Sequence, residues 1–163
     1  MKKIFLGLLL VICVFASEAQ NSYSDTEAVK MLKTFYIAYN TAWATSNLKT
    51  EQGAHAFIEK LDSLKTEYCT IKLRKGLKGL FKKEGLDHDL LLNDEGTDIA
   101  HLKTLKIVKD ESKTKAYTVS YVDHTLSPAY KPIDNTVIIH VTVAKENGTY
   151  KIADAYGDAI SLR

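Results

Sequence analysis

Apolar residues follow a helical period in the first half of the chain and an alternating period in the second, with the polar segment Asp87–Asp98 between them. Steps of three and four residues predict α-helices over 25–46, 54–68 and 71–83. Short alternating runs predict β-strands over 105–108, 115–123, 136–144 and 150–156. Because the connections between strands are short, the sheet should be antiparallel. Helices followed by strands therefore predict one α+β domain, with the sheet curled around the first helix.

The N-terminus has the pattern of a cleavable signal peptide. Lys2 and Lys3 precede an apolar run, Ile4–Phe15, and small residues stand at Ser17 and Ala19. The run is shorter than the roughly 20 residues that span a bilayer. We therefore expect residues 1–19 to be a signal peptide, residues 20–163 to be the single α+β domain, and the mature protein to be periplasmic or secreted.

Two further features bear on membrane and nucleic-acid partners. Leu10–Cys13 contains the leucine and cysteine of a lipobox, but bulky Ile12 stands where a lipoprotein carries a small residue, so we expect no stable membrane anchoring after cleavage. Removing 19 of the 163 residues leaves 20 Lys and Arg against 19 Asp and Glu. This balance gives no reason to expect a nucleic-acid partner. Cys69 is then the only thiol, and we expect it to be a buried apolar residue.

Four segments of the chain resemble the DUF3828 family of exported bacterial proteins. They are Phe35–Tyr39, Tyr68–Thr70, Leu86–Leu91 and Asn147–Ile152. The order of helices and strands is also similar to that of the NTF2-like, cone-shaped α+β superfamily. That resemblance implies N-terminal helices packed in the concave face of a curved antiparallel sheet. It implies export as well, and it brings no established activity.

No motif predicts a metal ion or another cofactor. In the acidic segment, Leu91 and Leu92 stand where an EF-hand loop needs an oxygen ligand and a glycine. The five histidines show no i, i+4 pair of the kind that binds zinc on a helix. Asp123 and His124 are adjacent in a predicted strand, so their side chains should point to opposite faces. We therefore expect no metal site and no catalytic residue set.

Aromatic residues are the best candidates for ligand binding, because tyrosine and tryptophan combine an apolar body with a polar tip. The alternative is that they belong to the core and only their hydroxyl groups reach the rim. His140 lies in the middle of a strand, where a polar ring needs a partner. The candidate ligand-binding residues are Tyr36, Tyr39, Trp43, Tyr121, His140, Asp154 and Tyr156. Tyr130 and Lys131, in a loop with two prolines, are candidate protein contacts.

The sequence thus predicts an exported, non-catalytic binding protein of the cell envelope that uses the aromatic mouth of the cone or its loops. Its partner would be an unknown small molecule, an envelope protein or a toxin. One alternative is an immunity protein that neutralises a toxin in the periplasm. Another is an enzyme that uses His140 or Asp154 as a general base.

Overall fold

The helical half of the chain forms three α-helices in the computed structural model, which describes residues 25–84, 89–94, 96–126 and 132–157. Helix α1 covers residues 25–44, α2 is Glu51–Tyr68 and α3 is Ile71–Glu84. Hydroxyl groups begin the last two helices: Thr50 Oγ1 accepts a hydrogen bond from Gly53 N at 3.1 Å, and Thr70 Oγ1 accepts one from Leu73 N at 3.3 Å. The predicted signal peptide lies outside the described residues.

The second half forms a four-stranded antiparallel sheet in the order β1-β2-β3-β4. Strand β1 is Lys106–Lys109, β2 is Ala116–Leu126, β3 is Pro132–Glu146 and β4 is Thr149–Gly157. Asn147 and Gly148 join the last two strands with positive φ values of 54° and 81°, which suit a tight hairpin turn. A short 3-10 helix, Ile99–Lys103, precedes β1.

The helices pack against one face of the sheet, the concave face. Odd-numbered residues of β2 and β3 point toward the helices, and Val119, Ile139 and Val141 are at most 1% exposed. Cys69, between α2 and α3, is also buried, as predicted. Cys69 forms an isolated bridge with Ile152, and Thr70 N donates to Ile152 O at 2.9 Å, which joins the helices to the edge of β4. The predicted α+β fold with helices on a curved antiparallel sheet is confirmed.

Strands β2 and β3 extend beyond both of their neighbours. The pairing of β1 ends at Ser120, and the pairing of β4 ends at Ile139. Residues 121–126 of β2 therefore pair only with residues 132–137 of β3 among the described strands, and Ile138, opposite Ser120, has no partner in β4. We call residues 121–126 and 132–138 the ribbon.

The segment between α3 and β1 packs against the ribbon from three directions. Tyr121 Oη donates to Leu92 O at 2.7 Å on the concave face. At the β3 edge, Asn93 Nδ2 donates to Ile138 O at 3.2 Å. At the β2 edge, Val122 N donates to Thr104 Oγ1 at 2.9 Å. Side chains thus replace β4 and β1 as hydrogen-bond partners where those strands end.

Candidate functional site

A polar cleft lies between the ribbon and the segment that precedes β1. Its cavity volume is about 320 Å³. Described residues between Asp94 and His101 form one wall, and residues of β2 form the other. The polar side chains that line the cleft are Asp94, Thr97, Asp98, His101, Asp123 and His124.

The 3-10 helix places His101 at the floor of the cleft. Asp98 caps this helix, since its Oδ1 accepts from Ala100 N at 2.7 Å and its backbone N–H points to His101 Nδ1 at 3.4 Å. The His101 ring stacks on Tyr121 with a centroid distance of 4.9 Å and an interplanar angle of 17°. With 4% of its surface exposed, His101 is held rigidly by the cap on one side and the sheet on the other.

A chain of hydrogen bonds runs from β2 through His101 to helix α1. His101 Nε2 lies 3.0 Å from Asp123 Oδ1, and His101 Nδ1 lies 2.9 Å from Thr97 Oγ1. Thr97 Oγ1 also donates to Asn40 Oδ1 at 2.7 Å, and Asn40 Nδ2 donates to Tyr36 O at 2.8 Å. These contacts assign the ring proton to Nε2, because Asp123 can only accept and Nδ1 faces the Asp98 N–H.

This arrangement has two chemical capacities. An unprotonated Nδ1 beside a hydroxyl, with the ring oriented by a carboxylate, is the geometry that activates a nucleophile. Thr97 has a single hydroxyl proton, however, and Asn40 Oδ1 competes for it at the shorter distance. The second capacity is electrostatic: among the described residues that line the cleft, three are aspartates and none is Lys or Arg. The cleft therefore favours a positively charged group.

The described residues contain no group of three or more His, Cys, Asp or Glu side chains arranged to hold a metal ion. A search of the same residues finds no helix with the length and apolar character needed to cross a membrane. The acidic segment that the sequence analysis considered for calcium is described only in part, because residues 85–88 and 95 lie outside the described ranges.

The predicted aromatic candidates of α1 and β2 lie in the core. Tyr36 and Tyr39 have 0% of their surface exposed, Tyr121 has 1% and Trp43 has 8%. Tyr39 Oη donates to Asp89 Oδ2 at 2.7 Å, and burial is the main cause that raises the pKa of Tyr39 well above its ordinary value. These four side chains stabilise the fold and do not line an open mouth.

The remaining ligand-binding candidates lie on the opposite, convex face of the sheet. His140 stacks on its cross-strand partner Tyr156 with a centroid distance of 5.0 Å, and Tyr156 is 45% exposed. Asp154 pairs with Thr142 in the neighbouring row. The sheet thus separates His140, Asp154 and Tyr156 from the aromatic residues of α1, so the predicted set does not form one site. Tyr130 and Lys131 lie outside the described residues.

The sequence analysis missed Thr97, His101 and Asp123 as a connected group. It predicted correctly that Asp123 and His124 diverge: Asp123 reaches His101, whereas His124 Nδ1 lies 2.7 Å from Asp134 Oδ1 on the other side. A capping pattern was available, because Asp98 is followed at the third position by His101, as in a capping box. That pattern would have placed His101 at a helix start.

No protein-family model and no curated protein matches the sequence. The fold is similar to the crystal structure of a protein of unknown function from Bacteroides thetaiotaomicron VPI-5482. That similarity has a TM-score of 0.69 and 23% sequence identity, and it covers 87% of this chain and 98% of that chain. At this identity the comparison supports the α+β architecture, and it carries no activity with it.

Proposed function

We propose that the chain is an exported, non-catalytic binding protein of the cell envelope, and that it binds its partner in the polar cleft. The observation that carries the proposal is a cleft of about 320 Å³ whose described lining residues include three aspartates and no Lys or Arg. The resemblance to the DUF3828 family supports export. The polar cleft replaces the aromatic residues as the site that we propose, because four of those residues are buried in the core.

A ligand with a positively charged group fits this cleft best. Asp94 and Asp98 come from the loop wall, and Asp123 comes from β2. Two opposite charges 4 Å apart attract by about 1 kcal/mol in water and by about 4 kcal/mol at the effective dielectric constant near a protein surface. Carboxylates in a partly enclosed cleft therefore attract a cation more strongly than carboxylates on the open surface do.

Binding of minimal cationic probes tests this proposal. N-acetyl-lysinamide and N-acetyl-argininamide should shift the backbone NMR signals of residues 96–101 and 122–124, whereas N-acetyl-norleucinamide, which lacks the charge, should not. Added salt should weaken the effect. Equal binding of the norleucine compound would show that charge does not select the ligand.

Two matched variants locate the binding. Asp94→Asn combined with Asp98→Asn removes two charges, and asparagine at position 98 can still cap the 3-10 helix. We expect at least about a tenfold loss of affinity for the lysine probe, which corresponds to about 1.4 kcal/mol. The control is Glu59→Gln with Glu111→Gln, which removes two charges from side chains that are 72% and 82% exposed. An equal loss in both variants would contradict a specific role for the cleft.

Export is tested separately by the mass of the mature protein. Cleavage after Ala19 should give a chain that begins at Gln20. A lipid-bearing product that begins at Cys13 would instead identify a lipoprotein. Neither result depends on whether the cleft binds a cation.

Hydrolysis is the second candidate function, and the Thr97–His101–Asp123 hydrogen-bonded chain favours it. The general bases predicted from the sequence, His140 and Asp154, are on the opposite side of the sheet from this chain. An activated ester such as p-nitrophenyl acetate is a suitable substrate. If these hydrogen-bonded residues are catalytic, the wild-type protein should hydrolyse the ester at least about a hundredfold faster than the Thr97→Val and His101→Gln variants. Equal rates in all three proteins would exclude this candidate for the ester.

A further inference from the structure

The cleft lies along the edge of strand β2. The residues that line it include both Asp123 and His124, which are consecutive in β2. Consecutive strand residues point to opposite faces of a sheet, and these two do so, with Asp123 on the concave face and His124 on the convex face. A cleft that is lined by two residues whose side chains lie on opposite faces runs along the edge of the strand.

Backbone groups of β2 face this edge at every second residue. Val122 N donates to Thr104 Oγ1, and Ala116 O accepts from Asp110 N at 2.9 Å, so the even-numbered residues point toward the β1 side. In an antiparallel ladder the N–H and C=O of one residue point to the same side. The N–H and C=O of His124, a residue that lines the cleft, therefore face the β1 side as well.

No described strand pairs with His124 on that side. The pairing of β1 ends with Lys106 opposite Ser120, and Thr104 continues the line of β1 only as far as Val122. The chain before Thr104 is the 3-10 helix Ile99–Lys103, which leaves the line of the strand. The next position along this line, opposite His124, is where the cleft begins.

We propose that the cleft receives an extended peptide segment of a partner protein, which adds to the edge of β2 at His124 in line with β1. This inference rests on the proposed binding function and names its ligand. Strand addition uses backbone hydrogen bonds for affinity and side-chain contacts for selectivity. A volume of about 320 Å³ lies at the small end of the range for ligand sites, so the cleft accommodates a few residues and no folded domain.

The register of the added strand predicts its sequence. The residue opposite His124 places its side chain on the convex face, as His124 does. The residues before and after it then point to the concave face, where Asp123 and the cap residue Asp98 line the cleft. Lysine or arginine at these alternate positions matches the carboxylates, and the residue between them faces away from the carboxylates. The ligand is therefore a segment with basic residues two positions apart.

Fluorescent peptides test both the backbone pairing and the register. The peptide Thr-Lys-Val-Lys-Thr, blocked at both ends, should bind at least about tenfold more tightly than Lys-Lys-Val-Thr-Thr, which has the same composition and adjacent lysines. N-methylation of the central valine removes one backbone donor and should cost a similar factor. Binding of the first peptide should also slow amide hydrogen exchange at His124. The Asp94→Asn, Asp98→Asn variant should lose affinity for it, and the Glu59→Gln, Glu111→Gln control should not.

The outcomes separate this inference from the proposed function. If the N-methylated peptide binds as tightly as its parent while N-acetyl-lysinamide still shifts the cleft signals, the cleft binds cations without strand addition. If the two lysine arrangements bind equally, the proposed register is wrong. If neither the peptides nor the lysine probe binds, both proposals are overturned.

Discussion

Two groups of polar-tipped side chains lie on the concave side of the sheet, and they differ in their access to solvent. Tyr36 and Tyr39 place their hydroxyl groups inside the core, where both side chains are 0% exposed. Thr97 and Asp123 lie at the end of the same face, where the ribbon extends beyond β1, and they line an open cleft. Residues with the composition of a binding site therefore build the fold here, whereas a loop threonine and a strand aspartate line the open cleft.

The difference comes from how far the helices cover the sheet. Helix α1 packs its stripe of apolar and aromatic residues against the four-stranded part, which removes these side chains from water. At the ribbon, residues 133–136 are exposed even though they belong to β3. Polar groups are exposed at the ribbon because β2 and β3 are longer than their neighbours. The positions of aromatic residues in the sequence do not reveal this difference in length.

Alkaline pH should cause the largest loss of stability, and it should do so by ionising the buried side chains of the core. Burial is the main cause that raises the pKa of Tyr36, Tyr39 and Tyr121 far above 10, and it raises the pKa of the Cys69 thiol from 9.0 to about 12. In the unfolded chain these groups lose their protons near their ordinary pKa values. Their contribution to the free energy of unfolding is therefore fully present below about pH 9 and is lost as the pH rises. Each tyrosine costs about 1.4 kcal/mol per pH unit above about pH 10, or roughly 4 kcal/mol per unit for the three.

Urea unfolding between pH 8 and pH 11, with tyrosinate absorbance as a second signal, measures this effect. The three buried tyrosines should ionise only when the protein unfolds. If their absorbance titrates near pH 10 while the protein remains folded, these side chains reach solvent and the contrast between core and cleft is wrong.

Trp43→Ala should have the next largest effect. Trp43 is 8% exposed and packs edge-on against Phe57 with a centroid distance of 4.9 Å. Loss of a buried aromatic side chain costs about 3–5 kcal/mol in the free energy of unfolding. Chemical denaturation measures the loss, with Ile37→Ala as the control on the same helix: Ile37 is 42% exposed, and its change should cost less than about 1 kcal/mol. Similar midpoints for Trp43→Ala and wild type would contradict the core assignment.

Two tyrosine-to-phenylalanine changes refine the comparison within the core. Tyr39 Oη donates to Asp89 Oδ2 at 2.7 Å, and removing a hydrogen bond to a charged group costs about 1.5–3 kcal/mol. Tyr36 Oη has no hydrogen-bond partner among the described residues, although it is buried. Tyr36→Phe should therefore leave stability unchanged or raise it slightly. The two variants remove the same hydroxyl oxygen from neighbouring turns of α1, and chemical denaturation compares them. Equal losses in the free energy of unfolding would show that the Tyr36 hydroxyl has a hydrogen-bond partner.

His124→Ala should have the smallest effect on stability. The His124–Asp134 pair is short, at 2.7 Å, but its side chains are 53% and 67% exposed. Exposed pairs of this kind contribute at most about 1 kcal/mol. Because the proposed peptide contact uses the backbone of residue 124, His124→Ala should also bind the alternating-lysine peptide within about threefold of wild type. A loss comparable to that of the N-methylated peptide would assign the contact to the side chain.

Local sequence patterns predicted the secondary structure closely. The helix predicted over 54–68 is observed as Glu51–Tyr68, and the strand predicted over 115–123 is observed as Ala116–Leu126. The predicted hairpin at Asn147 and Gly148 has the positive φ angles that its residues favour. These features depend on hydrophobic period and turn residues, which act over a few neighbouring positions. For the same reason, β2 was predicted to end too early, at residue 123, and β3 was predicted to begin too late, at residue 136, because the ribbon carries no regular apolar alternation.

The sequence by itself determined the order of helices and strands, the residues on each buried face and the divergence of Asp123 from His124. Only the tertiary structure decided that His101 meets Asp123, that Thr97 reaches Asn40 of α1, and that Tyr36 and His140 lie on opposite sides of one sheet. The physical reason is distance along the chain. A period of 2 or 3.6 residues specifies which face a side chain occupies, whereas contacts between residues 22 or 57 positions apart depend on how far each strand extends and where the loops cross it.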